Sequence, residues 1–227
     1  MKKELFLRFN QLYTERCQVL SPLEMGEDSV RYDFFIALME IYKLKPSEIW
    51  LEYPIHTSTF TPKIVEKRKR KEKPLIDLIA KNSEINICAE FALFKQNSNP
   101  NGVINKTDRI FKLVGDLVRL ALQSHFCKSD AYFICVADNK MLKHQLRSGI
   151  LPAFPSPNYV LNTEIIKNLI ESTKIKIQDR FFTKASELKI GIEAELIFEE
   201  DVKSPLHNFN TKTLAWRVIP QVAKLKK

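Results

Sequence analysis

The sequence predicts an α/β protein whose central mixed β-sheet is flanked by helices. Two parts of the chain carry apolar residues at helical spacing, and four others are short runs of β-branched and aromatic residues between polar breaks. The order helix, three strands, helix, strand and then a mixed tail is that of an α/β sandwich. The helical patterns occupy 1–45 and 106–124, and the strand-like runs occupy 49–55, 74–80, 85–94 and 131–137.

Both main helices are predicted from apolar stripes that should pack on the sheet. The first follows the break from Pro22 to Gly26, and its stripe consists of Val30, Phe34, Leu38, Ile41 and Tyr42. In the second, the inward residues are Ile110, Leu113, Val114, Leu117 and Ala121. Its outward residues are Arg109, Lys112, Asp116, Arg119 and Gln123.

The rest of the chain is interpreted from shorter patterns. Residues 131–137 (AYFICVA) form an unbroken apolar run, as expected of a strand that is covered on both faces. A further helix is predicted at 163–171, and strands at 188–198 and 214–219. A length of 227 residues suits one domain that spans 1–227.

The composition excludes several classes of protein. Hydrophobic residues make up 44% and charged residues 28%, which argues against disorder, a coiled coil and a membrane protein. Lys and Arg outnumber Asp and Glu by 36 to 27, and the resulting net charge of +9 favours a polyanionic partner. Only five glycines occur, so a Gly-rich phosphate-binding loop is not expected. The four histidines lack zinc-site spacing, and no GxSxG motif is present.

The cysteines and the N-terminus indicate a cellular location. Cys17, Cys88, Cys127 and Cys135 show no CxxC pairing and are interpreted as buried free thiols in a reducing compartment. The first residues have a charge-interrupted helical pattern, and no apolar run of about 18 residues occurs. We therefore expect a soluble, cytoplasmic protein. The two tryptophans, Trp50 and Trp216, are interpreted as core residues.

The segment from Lys63 to Lys73 contains seven basic residues in eleven. It is either a solvated loop or a nucleic-acid contact, and its place between two strands that carry acidic residues favours contact. The residues expected to bind backbone phosphates are Lys67, Arg68, Lys69, Arg70 and Lys71, together with Arg109, Lys112 and Arg119 of the second helix.

Four acidic residues are candidates for one site. Asp77 lies in an otherwise apolar strand, and Glu90 lies in the next. One such acid alone usually faces solvent, but two on adjacent strands need an explanation, because buried carboxylates are costly unless they are paired or metal-bound. Glu52 and Glu27 could converge on the same pocket. Hard oxygen ligands of this kind suit Mg²⁺.

These segments resemble the PD-(D/E)xK, or restriction-endonuclease-like, nucleases. The resemblance lies in Pro74–Asp77, in Ala89–Ala92 with the loop and helix that follow, and in the helix that begins at Glu27. It covers about residues 27–138 and leaves 139–227 as a mixed α/β part. It implies a restriction-endonuclease-like core that binds Mg²⁺, or Mn²⁺ as a substitute. The implied ligands are Asp77, Glu90 and the main-chain carbonyl of Phe91, with Glu27 or Glu52 as the outer acid.

The sequence departs from this family at the lysine, because Ala92 occupies that position. Without it no ammonium lies beside the metal to orient water or balance charge. In a regular strand Lys95 would lie roughly 16 Å beyond Glu90, and Lys73 about 13 Å from Asp77, so neither replaces it without a bulge or a folded-back loop. The protein is then an impaired nuclease, a nuclease with a rearranged site in which Lys95 is the first candidate, or a chain in which the alanine was introduced.

The leading hypothesis is a Mg²⁺-dependent endonuclease that cleaves DNA phosphodiester bonds in a restriction or host-defence system, impaired because Ala92 replaces the lysine. By resemblance it would act as a homodimer. The alternative is a non-catalytic nucleic-acid-binding module with a nuclease-like fold. In a third possibility, an interaction protein, the positive charge would be merely solvated. Cleavage with Mg²⁺ separates the first two, and salt-dependent binding of nucleic acid tests the third.

Overall fold

The computed structural model describes residues 2–61, 74–95, 105–172, 179–206 and 211–222. Within these ranges the chain forms a mixed sheet and α-helices on both of its faces. The helices are α1 (Lys3–Arg16), α2 (Glu27–Tyr42), α3 (Lys106–Cys127), α4 (Thr163–Ser172) and α5 (Asp179–Glu187). The strands are β1 (Ile49–Pro54), β2 (Leu75–Lys81), β3 (Asn86–Phe94), β4 (Asp130–Asp138), β5 (Asn158–Leu161), β6 (Ile190–Val202) and β7 (Thr211–Val222).

The predicted α/β class with a mixed sheet is confirmed. The strand order is β1-β2-β3-β4-β7-β6-β5. Strands β3 and β4 are parallel and are joined by α3, whereas the other neighbouring pairs are antiparallel. This is expected, because a parallel pair needs a long crossover connection and antiparallel pairs do not.

Two apolar cores lie on opposite faces of the sheet. Helices α1 and α2 pack on one face, where Phe34 contacts Phe91 of β3 edge to face. Helices α3, α4 and α5 cover the other face, where Trp216 of β7 is fully buried. Strand β4 lies between the two layers, and all its residues except Asp130 are buried, as its unbroken apolar run predicts.

The outward face predicted for α3 is partly wrong. Asp116 and Gln123 are each only 2% exposed. Gln123 accepts a hydrogen bond from the His56 N–H at 3.2 Å, and α5, which the sequence patterns do not predict, packs against α3. A helical stripe cannot show that a second helix covers the polar side.

The tryptophans differ in environment. Trp216 is a core residue as predicted, but Trp50 is 40% exposed on β1, so its assignment to the core is wrong. The reason is the position of β1 at one end of the strand order. All four cysteines are free thiols, and Cys127 is only half-buried.

Candidate active site

Strands β2 and β3 stop pairing where the two predicted acids lie. Their ladder ends at the pair Leu78–Ala89, one position before Asp77 and Glu90. Beyond it, Asp77 Oδ2 accepts a hydrogen bond from the Phe91 N–H at 2.9 Å, so a side chain takes the place of a strand partner.

The other neighbour of Asp77 is also irregular. On β1, Glu52 lies between two residues that pair normally with β2, yet its backbone is left-handed, with a φ angle of 50°. This conformation is unfavourable for a residue with a Cβ and is concentrated at functional sites. The sheet is thus interrupted on both sides of Asp77, which leaves its carboxylate accessible to groups from the helices.

Glu90 is buried beside α3. It is 2% exposed, and its Oε1 lies 3.2 Å from Arg119 Nη1, an ion-pair distance at an angle that makes no hydrogen bond. Burial raises the pKa of Glu90 well above its ordinary value. Arg119 opposes that shift, while Asp77 and Asp116 add to it. Asp77 on β2 therefore lies close enough to Glu90 on β3 to contribute to its raised pKa.

Asp116 joins this cluster from α3 and also forms an ion pair with Arg119. Burial raises its pKa from 3.8 to about 6, although Arg119 and Lys112 lower it. Asp116 Oδ2 is buried and makes no hydrogen bond. One arginine thus faces two buried carboxylates, each with an oxygen that has no hydrogen-bond donor.

Lys112 brings an ammonium to the site. Its Nζ lies 3.1 Å from the carbonyl oxygen of Phe91 and 2.5 Å from Glu27 Oε2. Burial lowers the pKa of Lys112, but Asp116 and Glu27 raise it, and the net shift is upward. Lys112 therefore remains a cation at neutral pH. Ala92, at the motif position, is fully buried in the core that α3 helps to form.

Arg31 connects the remaining acids. Its Nη2 lies 3.0 Å from Asp77 Oδ1, and its Nη1 lies 3.4 Å from Glu52 and 3.3 Å from Asp28. Both candidates for the outer acid are therefore linked to the site by ion pairs. Glu27 pairs with Lys112, and Glu52 pairs with Arg31. Glu52 is at the rim, because its side chain is 63% exposed.

Several predicted site residues lie elsewhere. The Lys95 ammonium donates to the carbonyl oxygens of Leu23, at 2.6 Å, and Met25, so it is directed away from the acids. Lys112 and Arg119, expected to bind phosphate on an outer surface, are inside the acidic cluster instead. Arg109 is half-buried near Lys95. Five predicted phosphate contacts lie outside the described residues: Lys67, Arg68, Lys69, Arg70 and Lys71.

The sequence patterns missed Asp116 and Arg31 as site residues and assigned Lys112 a different role. A signal was present in α3, because residues 112, 116 and 119 lie four and three positions apart and share one helix face. Arg31 likewise follows Glu27 by one turn. The spacing shows that these charges lie together, but it does not show that they point at β2 and β3.

The oxygen atoms at this site are compatible with a Mg²⁺ ion held largely by water. In the described part of the chain, no three His, Cys, Asp or Glu side chains form a group that could hold a metal. Mg²⁺, however, commonly uses one or two carboxylates and keeps several waters. Carboxylate and carbonyl oxygens each have two lone pairs, so the hydrogen bonds to Asp77 and Phe91 leave acceptor positions open. Glu90 Oε1 makes no hydrogen bond at all. The residues present therefore fit the ion that the resemblance implies.

Comparison with known proteins adds no information about the function of the chain. No protein-family model, curated protein or solved structure matches it. Among the described helices, none combines the length and the apolar character needed to cross a membrane. Only the geometry of the site bears on its function.

Proposed function

We propose that the protein is a Mg²⁺-dependent nuclease that hydrolyses phosphodiester bonds in DNA, with Lys112 in place of the motif lysine. The observation that carries this proposal is the meeting of three groups at Phe91. Its N–H donates to Asp77, its carbonyl accepts from Lys112, and Glu90, the residue before it, lies within the electrostatic influence of Asp77. The order of α2, three strands, α3 and a fourth strand parallel to the third supports a restriction-endonuclease-like core.

Each group has a chemical role in this proposal. Asp77, Glu90 and the Phe91 carbonyl would hold Mg²⁺, which when bound lowers the pKa of a water molecule and polarises the phosphate. Lys112 stays protonated, so it stabilises the negative charge that develops on the phosphate and does not act as a general base. Glu27 positions this ammonium by its ion pair, and Arg119 restrains Glu90.

The position of Lys112 changes the expectation of an impaired enzyme. That expectation depended on Ala92 and on the distances of Lys95 and Lys73 along the chain. An ammonium supplied by α3 removes the need for a lysine at position 92. We therefore propose an active nuclease with a rearranged site.

The test is cleavage of supercoiled and linear DNA by the purified full chain, with Mg²⁺ or with EDTA. Asp77→Asn, prepared in the same way, controls for contaminating nucleases. We expect cleavage only with the unmodified chain and a divalent ion. DNA binding without cleavage in Mg²⁺ and in Mn²⁺ would instead support the non-catalytic binding module, which the pairing of every site acid with a cation also allows. Homodimer formation stays a prediction that sedimentation can check.

A further inference from the structure

Two aromatic side chains are exposed next to each other on β1. Trp50 is 40% exposed and Tyr53 44% exposed, and their ring centroids are 6.2 Å apart. In a regular strand residues 50 and 53 would point to opposite faces. The left-handed backbone of Glu52 breaks this alternation. Their strand partners, Ile79 and Ile76, both pack in the core on the α3 side, so both rings lie on that face of the sheet.

This aromatic pair borders the candidate active site. Tyr53 is the strand partner of Ile76, the residue directly before Asp77. Glu52, between the two aromatic residues, contacts the same arginine that holds Asp77. Trp50 is the partner of Ile79, two residues beyond Asp77, which corresponds to about 8 Å between backbone positions from strand spacings. Glu90 lies on the same face, toward α3.

Within the described residues both rings are exposed, and β1, as the terminal strand, has no further strand beside it. Large apolar side chains left exposed together beside a charged site commonly mark a binding surface. The chain has a net charge of +9, which favours a polyanion over an apolar partner. In the sequence, the basic segment 63–73 directly precedes the strand that carries Asp77.

We propose that Trp50 and Tyr53 stack on unpaired bases, and that the substrate is single-stranded or frayed DNA. As a statement about substrate, this rests on the proposed nuclease function. Aromatic side chains stack on bases whose faces are open, whereas bases inside a duplex are covered by their neighbours. A strand whose phosphate lies at Asp77 and Glu90 would place an adjacent base against the rings.

Trp50 is itself the reporter for this stacking. The chain has two tryptophans, and Trp216 is fully buried, so quenching of tryptophan fluorescence on binding reports Trp50. The full chain is titrated in EDTA with an oligo(dT) single strand and with a hairpin duplex. We expect quenching and tighter binding with the single strand. Trp50→Phe serves as the spectroscopic control.

Substitutions of the two aromatic residues distinguish base stacking from electrostatic attraction to the DNA phosphates. Trp50→Ala and Tyr53→Ala should each weaken single-strand binding about 5- to 150-fold, measured by anisotropy of a labelled oligonucleotide, and leave duplex binding unchanged. Trp50→Phe should retain most of the affinity because it keeps a ring. Val160→Ala is the matched control, since Val160 is an exposed apolar residue on β5, at the other end of the sheet. It should change neither binding constant.

Two results would overturn the proposal. One is equal affinity for both ligands with no quenching. The other is a shift from dimer to monomer in Trp50→Ala with unchanged single-strand affinity, which would make the patch a contact between two copies. Mg²⁺-dependent cleavage is measured separately. If Asp77→Asn abolishes cleavage while Trp50→Ala leaves single-strand affinity unchanged, the nuclease proposal is supported and the stacking proposal is wrong. If Trp50→Ala weakens single-strand binding but the unmodified chain does not cleave DNA, the stacking surface is supported and the nuclease proposal is wrong.

Discussion

Two buried clusters of charge in the described part of the chain are built differently. Between α1 and α2, Asp33 is 2% exposed and accepts hydrogen bonds from Arg16 Nε at 2.9 Å and Arg16 Nη2 at 2.5 Å. One cation and one anion satisfy each other, and both carboxylate oxygens have a donor. Between α3 and the strands, Arg119 faces two carboxylates, and Glu90 and Asp116 each keep an oxygen that has no hydrogen bond.

This difference distinguishes a structural ion pair from a candidate site. The Arg16–Asp33 pair joins two helices, and both oxygens of its carboxylate accept a hydrogen bond. The cluster of Glu90, Asp116 and Arg119 retains buried carboxylate oxygens without hydrogen bonds. The pKa values of both carboxyl groups are raised, and the pairing of β2 with β3 ends beside them. Such features are expensive for stability and are concentrated where a ligand or a reaction uses them.

The largest expected effect is at Asp77. Asp77→Asn should remove all Mg²⁺-dependent cleavage, because the amide carries no charge for the metal. It should still fold, since the amide oxygen can accept the hydrogen bond from the Phe91 N–H. The matched control is Asp33→Asn, which should keep the rate per folded molecule. If both variants lose a comparable part of the cleavage rate per folded molecule, the two clusters do not differ in function.

Lys112 is expected to have the next largest effect. Lys112→Ala should lower kcat about 10²- to 10³-fold, the usual loss when one electrostatic stabiliser is removed. Ala92→Lys in that background should restore part of the rate, because position 92 faces α3. Lys95→Ala is the control and should change little, since its ammonium bonds to main-chain carbonyls. If Lys95→Ala abolishes cleavage and Lys112→Ala does not, the assignment of the lysine is wrong.

The Arg16–Asp33 ion pair should contribute measurably to the stability of the fold. Asp33→Ala should lower the free energy of unfolding by about 1.5–3 kcal/mol, because it removes charge-assisted hydrogen bonds to Arg16, which is partly open to water. Urea unfolding followed by circular dichroism measures the change. A loss below about 0.5 kcal/mol would show that α1 and α2 do not depend on this pair.

The raised pKa of Asp116 predicts a pH dependence of stability. Between 3.8 and about 6 the unfolded chain has lost this proton while the folded protein retains it. The contribution of Asp116 to the free energy of unfolding therefore falls as pH rises through this window, by at most about 1.4 kcal/mol per pH unit. The difference between wild type and Asp116→Asn in urea unfolding isolates this slope. A difference that stays constant across the window would refute it.

The smallest effect concerns metal binding without substrate. Mg²⁺ at ten times its Kd should stabilise the folded protein by about 1.4 kcal/mol, which raises Tm by roughly 3–6 °C for a chain of this size. Differential scanning fluorimetry with and without Mg²⁺ measures the shift. Asp77→Asn should abolish it and Asp33→Asn should keep it. An equal shift in both variants would mean that the ion binds elsewhere.

Much of the fold follows from local patterns in the sequence. Helices α2 and α3 and strands β1 to β4 lie within a few residues of their predicted ranges, because apolar periodicity and β-branched runs are properties of neighbouring residues. The placement of Asp77 and Glu90 on adjacent strands was predictable for the same reason. Helix α5 and strand β5 were missed. Each is short, so neither contains enough turns or alternations for a pattern.

Which charges meet depends on contacts between segments that are distant in the sequence. Lys112 lies 21 positions from Phe91 along the chain, and it reaches the Phe91 carbonyl because the crossover from β3 to β4 lays α3 over that face of the sheet. Asp116 is buried in the core between α3 and the strands, although its helical position alone indicated solvent. The left-handed Glu52 places Trp50 and Tyr53 on one face, against the alternation of a regular strand. Local periodicity was thus enough to predict most of the elements and the two strand acids. The cation and the rings beside those acids depended on packing between distant segments, which no local pattern records.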